Sequence, residues 1–310
     1  MNNHADDPCL QLQTVVDFVR WGASCFNEAG LYFGHGTDNA VDEALFLVLH
    51  ALHLKPGLPS ELMQGRLTDA EKQSVTALLR RRIDERLPAP YLTHEAWFGG
   101  LHYYVDERVL VPRSPIAELI ENQFSPWLES EQVHSILDLC TGSGCIAIAA
   151  AMAFPWATVD AADISSDALE VAAINIERHE MQAHVGTVES DLFSALDGRQ
   201  YDLIISNPPY VDADDLAAMP EEFRREPALG LASGDDGLDI TVRILAQAND
   251  YLSHSGTLVV EVGNSEAALV ERFPDVPFIW LDFERGGEGV FLLHAETLGE
   301  YRDQFQAALE

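Results

Sequence analysis

Apolar residues in the first ninety positions recur with the period of an α-helix. Leu12, Val15, Val16, Val19 and Phe26 keep one such register, and Val41, Leu45, Val48, Leu49 and Leu52 keep a second. The turn-rich stretch FGHGTDNA separates them. A third helix is predicted from Thr68, where TDAE forms a capping box with Glu71 and leads into Val75, Leu79 and Ile83. The pattern then changes. PYLTHEAWFGGLHYYVDERVLVPRSP alternates aromatic and aliphatic positions and predicts a β-hairpin with its turn at DER. From residue 133 onward strand patterns (SILDLC, ATVDAAD, HVGTVES, YDLIIS, GTLVVEV, FIWLDF, GVFLLH) alternate with helical ones, which implies a parallel, doubly wound α/β sheet. Only ERGGEG separates the last two strands, too little for a crossover helix, so they must pair antiparallel. The expected architecture is a helical domain over 1–90, a β-hairpin linker over 91–130 and a Rossmann-like seven-stranded domain over 131–310.

Charge narrows the choice of partner. The 310 residues carry 18 Lys+Arg against 51 Asp+Glu, a formal net charge of −33. Such a surface serves solubility, repels phosphate backbones and suits a basic partner, so no stable binding of nucleic acid is expected. The one basic cluster, Arg80, Arg81, Arg82 and Arg86, is expected to pair with neighbouring carboxylates. Cys9, Cys25, Cys140 and Cys145 show neither a disulfide framework nor metal-ligand spacing, and His50 and His53 have no acid close by in sequence; no metal is expected. The start, MNNHADDPCL, is acidic and polar rather than a signal peptide, and the longest apolar run, CIAIAAAMAF, is too short to span a bilayer. These features predict a soluble, cytoplasmic protein that does not engage membranes.

Two short motifs carry chemistry. DLCTGSGCIA follows a strand and opens a helix, so Asp138, Cys140, Thr141, Gly142, Ser143 and Gly144 are candidate cofactor residues, the glycines allowing a sharp bend and close approach of a ligand. Asp163, at the end of the next strand, is placed to hold ribose hydroxyls. That pair fits both NAD and S-adenosylmethionine. Asp138, four residues before Gly142, favours the second, although Cys140 stands where that glycine motif begins with glycine. The stronger discriminator is LIISNPPYV, because Asn207, Pro208, Pro209 and Tyr210 at the end of a core strand have no task in hydride transfer. They suit methylation of a planar nitrogen. The Asn207 side-chain oxygen and the Pro208 carbonyl can accept hydrogen bonds from an NH2 group, the prolines stiffen the loop, and Tyr210 can stack on the flat group. Asp191, in ESDLF, could accept from an adenine amine, with Leu192 against the ring.

A parallel sheet closed by an antiparallel hairpin is the shape of the class I S-adenosylmethionine-dependent methyltransferases. NPPY, DERVLVPR and REPALGLASGDDGLD together resemble the protein glutamine N-methyltransferases over nearly the whole chain. Release-factor enzymes of that family read Pro-Arg-Pro-Glu-Thr after the hairpin, whereas here Arg113 is followed by SPIAELIE. With FNEAGLYFGHGTDNA and EVGNSEAAL, this variant resembles the branch acting on large-subunit ribosomal protein three. His94 stands where relatives commonly have glycine. The resemblance implies that the turn Cys140 to Gly144, Asp163 and the Asp191 region hold S-adenosylmethionine, that Asn207 to Tyr210 hold the glutamine, and that Arg113 and Ser114 line the pocket entrance. The long connection from Val211 to Asp239 holds Asp212, Asp214, Asp215, Glu221, Glu222, Asp235 and Asp236, an acidic lip suited to a basic ribosomal protein. The rivals are methylation of a release factor, methylation of a nucleic-acid base, which calls for basic grooves this sequence lacks, and a non-catalytic assembly factor.

Overall fold

In the computed structural model residues 7–309 are described; the acidic start over 1–6 lies outside them. The chain divides into two units, the first running to Glu95 and taking in Pro220–Arg225, the second comprising Ala96–Met219 and Glu226–Glu310.

The first unit is built on the helices Val15–Glu28, Ala40–Ala51 and Asp69–Glu85. Two capping boxes start its helices, Thr14 with Asp17 and Thr68 with Glu71, so orphan amides at both starts are satisfied within four residues of sequence. Phe18, Phe26, Leu47, Val48, Val75 and Leu79 form its core. Val16 and Val41, expected on the apolar faces, are 37% and 55% exposed. Each lies one residue off the buried stripe, which Val15, Phe18 and Val19 define in one helix and Ala40, Ala44 and Leu47 in the other. Three members of the arginine cluster pair with carboxylates as expected: Arg81 Nε donates to Glu85 at 2.8 Å and Arg82 Nε to Glu43 at 2.7 Å, while Arg86 Nη1 donates to Glu222 at 3.0 Å; Arg80 is exposed. His50, which lacks an acid in its sequence neighbourhood, has Glu95 at 3.3 Å from Nδ1. Among the described residues no group of three or more His, Cys, Asp or Glu is placed to hold a metal ion.

The second unit begins with the hairpin, and its turn differs from the sequence expectation. β1 (Ala96–Phe98) and β2 (Leu101–Tyr103) pair antiparallel around Gly99 and Gly100, at φ +54° and +72°. A two-residue hairpin turn wants positive φ at both positions, and two glycines meet that demand where DER cannot. The DER segment instead folds on itself, with the Asp106 carboxylate accepting from the Arg108 amide and guanidinium.

The seven-stranded sheet contains β3 (Ser135–Leu139), β4 (Thr158–Asp163), β5 (Val185–Glu189), β6 (Tyr201–Ser206), β7 (Leu252–Glu261), β8 (Ile279–Trp280) and β9 (Val290–His294). Their order is β5-β4-β3-β6-β7-β9-β8, with β3 to β7 parallel and β9 antiparallel to both β7 and β8. Only Ile279 and Trp280 of FIWLDF pair as a strand, because β8 is the sheet's edge and has one neighbour. The chain moves outward from β3 through β4 to β5, then returns to β6 on the other side of β3. That reversal leaves a crevice at the carboxyl ends of β3, β4 and β6, where open α/β sheets bind ligands. Apolar clusters on both faces hold the sheet rigid behind it. Cys9, Cys25, Cys140 and Cys145 are free thiols. Among the described residues no helix is long and apolar enough to cross a membrane.

Candidate active site

The crevice is a cavity of about 430 Å³, within the range of small-molecule sites. Its floor is the turn joining β3 to the helix Cys145–Ala153. Cys140, Thr141, Gly142 and Ser143 line it, as do Asp163, Asp191, Leu192, Asn207, Pro209, Arg113 and Ser114, so most of the residues singled out in sequence converge here. Asp138, Gly144, Pro208 and Tyr210 adjoin lining residues in the chain without being among them.

Asp138 is buried and braces the turn from beneath. Its Oδ2 accepts from Thr141 Oγ1 at 2.5 Å and from the Ala147 amide at 3.0 Å, while Oδ1 has no hydrogen-bond partner. Burial pushes its carboxyl up to about 7. Cys140 adopts φ +59°, the left-handed conformation that a glycine takes freely, so the cysteine keeps the motif's bend at a cost of about 1–2 kcal/mol. Gly142, at φ +54°, faces open space where a side chain would project, and its amide donates to Asp163 Oδ2 at 2.9 Å. The other Asp163 oxygen accepts from the Ser165 amide at 2.9 Å. Turn and acid therefore form one hydrogen-bonded rim, and burial raises the Asp163 carboxyl above its ordinary value. Asp191 is half-exposed and salt-bridged to Arg243 at 2.8 Å, and Leu192 is buried beside it.

Asn207 caps the carboxyl end of β6, where Ser206 Oγ ties that strand to the Leu139 carbonyl of β3 at 2.9 Å. Pro208 is buried, Pro209 faces the cavity, and Tyr210 turns away from it. The Tyr210 ring lies against the bare backbone of Gly263.

These features are those of a methyltransferase. The family model for the methyltransferase small domain matches residues 122–234. A ribosomal protein uL3 glutamine methyltransferase of Xanthomonas campestris pv. campestris is 54% identical over 288 residues, covering 93% of this chain and 93% of that protein. This chain belongs to the uL3 glutamine methyltransferase family. A second relative of the same description, from Francisella tularensis subsp. tularensis, is 48% identical over 296 residues, covering 95% of this chain and 94% of its own length. Among solved structures, a methyltransferase from Pyrococcus furiosus is 20% identical with a TM-score of 0.44, covering 63% of this chain and 89% of that one.

In this family member three residues escaped the sequence reading. Ile164, an exposed apolar residue directly after Asp163, lines the cavity, and its place beside the ribose-type acid was the signal that could have found it. Glu226 is buried and accepts from the Val111 amide at 2.9 Å and from Arg113 at 2.8 Å and 3.0 Å. Arg113 thus lines the cavity as expected, with its guanidinium held by Glu226. Glu261, the acid that ends the apolar strand β7, is buried against Ser114 and Tyr210.

The two glycines of the turn should respond differently to substitution. In Gly144→Ala the new Cβ would sit 3.1 Å from Ala172 Cβ and 3.3 Å from its Cα, at φ +77°, so a stability loss of about 2–4 kcal/mol is expected. In Gly142→Ala the new methyl meets nothing of the protein, so stability should lose only the strain of φ +54°, about 1–2 kcal/mol, and the larger loss should fall on cofactor affinity. Thermal unfolding and calorimetric titration with S-adenosylmethionine separate the two; equal effects of both variants on both readouts would contradict this division.

Proposed function

We propose that the protein transfers the methyl group of S-adenosylmethionine to the side-chain amide nitrogen of a glutamine in ribosomal protein uL3. The observation that carries this reading is Asn207 opening on the same cavity as the Gly142–Asp163 rim, in a chain that matches uL3 glutamine methyltransferases over more than nine-tenths of its length. A residue that could hold a glutamine amide and a rim that could hold a nucleoside face one space.

The rim fits the cofactor. Gly142 leaves room for close approach, Asp163 has lone pairs left for ribose hydroxyls, Ile164 and Leu192 offer apolar surface to a ring, and Asp191 offers an acceptor to its amine. When bound, S-adenosylmethionine supplies an electrophilic methyl group on a sulfonium. An amide nitrogen is a poor nucleophile because its lone pair is delocalised into the carbonyl. Asn207 Oδ1 and the Pro208 carbonyl act on that problem by accepting both amide hydrogens, which turns the nitrogen lone pair toward the methyl group. The fixed φ of two successive prolines holds those acceptors in place. The nitrogen needs no base before transfer, since its proton becomes acidic once it has gained the methyl group. The segment Val109–Ser114 forms part of the cavity wall.

The first unit serves substrate recognition in this reading. Acidity over Val211–Asp239 supports a basic target, with a smaller set of free carboxylates than the sequence implied. Glu222 is buried against Arg82 and Arg86, Glu221 pairs with Arg86 and Arg225, and Asp236 pairs with Arg272, which leaves Asp214 and Asp235 among the exposed carboxylates. The pairing of Arg81, Arg82 and Arg86 removes the one basic cluster that a base-modifying rival would need. Free thiols at Cys9, Cys25, Cys140 and Cys145 fit a cytoplasmic setting.

Intact mass spectrometry of purified uL3 and of a peptide release factor, each incubated with this protein and S-adenosylmethionine, tests the proposal. A single methyl gained on a glutamine of uL3 alone is the expected result. Gain on the release factor alone would keep the chemistry and overturn the target, and silence on both would overturn the reading.

A further inference from the structure

The five residues EVGNS, from Glu261 at the end of β7 to Ser265, grip Tyr210 at three points. The Tyr210 hydroxyl donates to Glu261 Oε1 at 3.1 Å. Its ring lies on Gly263, whose added Cβ would come within 2.6 Å of Tyr210 Cε2, so no larger residue fits there. Its carbonyl accepts from Ser265 Oγ at 2.8 Å. Gly289 locks the stretch from the other side, its carbonyl accepting from the amides of Val262 at 2.7 Å and Gly263 at 3.2 Å. The second Glu261 oxygen accepts from Ser114 Oγ at 2.5 Å, and Ser114 lines the cavity.

We infer that EVGNS is the seat of the catalytic loop and that Glu261 is a positioning residue for methyl transfer, holding Tyr210 on one carboxylate oxygen and Ser114 on the other. The inference rests on the methyl-transfer reading above. Asn207 and Pro209 face the cavity, and Tyr210 is the next fixed point along the chain, so the anchor of Tyr210 sets where Asn207 points. Ser114 ends the Val109–Ser114 segment that lines the cavity. One buried carboxylate therefore joins the loop that would hold the glutamine to the segment that would close over it. A carboxylate is a costly way to join two hydroxyls inside an apolar strand end, and Glu261 is only 5% exposed. What it adds is direction. Once ionised it accepts only, so both hydroxyl hydrogens must point at it, and Ser114 Oγ is then oriented to accept from the Ile116 amide at 3.1 Å. Burial pushes the Glu261 carboxyl up to about 7, so assays belong above that pH.

The test compares Glu261→Gln, Glu261→Ala, Tyr210→Phe and the double variant Glu261→Ala/Tyr210→Phe. In Glu261→Ala, kcat for methylation of uL3 should fall about tenfold or more while the KM for S-adenosylmethionine stays put. Glu261→Gln keeps the shape and one acceptor and should recover most of that rate. The double variant should be no slower than Glu261→Ala alone, because the two residues act as one unit. Multiplying losses, or wild-type kcat in Glu261→Ala, would overturn the inference. A second readout needs no substrate. In protein carrying 13C at tyrosine Cζ, the Tyr210 signal, assigned by its loss in Tyr210→Phe, should move in Glu261→Gln while tyrosines remote from Glu261 keep theirs. A Tyr210 signal that does not move would also overturn the inference. Should the wild-type protein methylate nothing in uL3, the proposed function fails, and the Tyr210 signal alone decides the seat.

Discussion

Asn207→Ala is expected to lower methyl transfer by a factor of about 10²–10³ while fold and S-adenosylmethionine binding persist. The size of the effect follows from what the side chain would do. It is the one side-chain acceptor of the NPPY loop that faces the cavity, and its removal leaves only the Pro208 carbonyl to orient the amide hydrogens. An amide with one hydrogen unheld keeps its lone pair in conjugation, and the barrier rises by the worth of an oriented acceptor in a water-poor site. Stability should change little, because Asn207 follows the last strand residue, and Ser206, which makes the interstrand tie to Leu139, stays in place. Initial rates with saturating uL3, together with calorimetric titration of the cofactor, measure both quantities. A loss confined to cofactor affinity would reassign Asn207 to the nucleoside end of the cavity.

Arg82→Met should cost the helical unit about 3–5 kcal/mol, because it strands the buried Glu43 carboxylate without a cation, while Glu222 keeps Arg86 at 3.0 Å. The Arg82 side chain is 0% exposed and those of Glu43 and Glu222 are each 1% exposed. Its guanidinium donates to Glu43 at 2.7 Å and to the Tyr32 carbonyl at 2.9 Å, and lies 3.6 Å from Glu222. Methionine fills much of the same volume, so lost packing is small and the cost is electrostatic. Making the stranded carboxylate neutral in the same protein, as Arg82→Met/Glu43→Gln, should recover a large part of the loss. Urea unfolding of the wild-type protein and the two variants measures this. If the double variant is no more stable than Arg82→Met alone, the cost lies in the lost Tyr32 hydrogen bond and in packing rather than in stranded charge.

The site and the arginine cluster differ in how far local sequence could foretell them. The glycine turn and NPPY are contiguous, and each follows directly on the strand that precedes it, so the place of both in the fold was legible in sequence. Cys140 shows the limit of that legibility: the residue type argued against a left-handed bend, and the surrounding turn imposed one all the same. The hairpin turn was misplaced because period-two alternation continues past Tyr103 in the sequence, while the two glycines carry the local chemistry that closes the turn.

The amino-acid sequence by itself determined the strands from β3 onward, the antiparallel last pair, the capped helices, the glycine turn after β3 and the proline-stiffened loop after β6, because each is encoded within a few neighbouring residues. Tertiary structure decided which charges meet. Arg113 finds Glu226 across 113 residues, Ser114 finds Glu261 across 147, and Tyr210 finds Glu261 across 51. No periodicity reports such pairs. A carboxylate reads the same in sequence whether it faces solvent, as Asp214 does, or ends a core strand against Tyr210, as Glu261 does. Only the sheet order, which brings the end of β7 beside the end of β6, turns Glu261 from an acid in an apolar strand into part of the site.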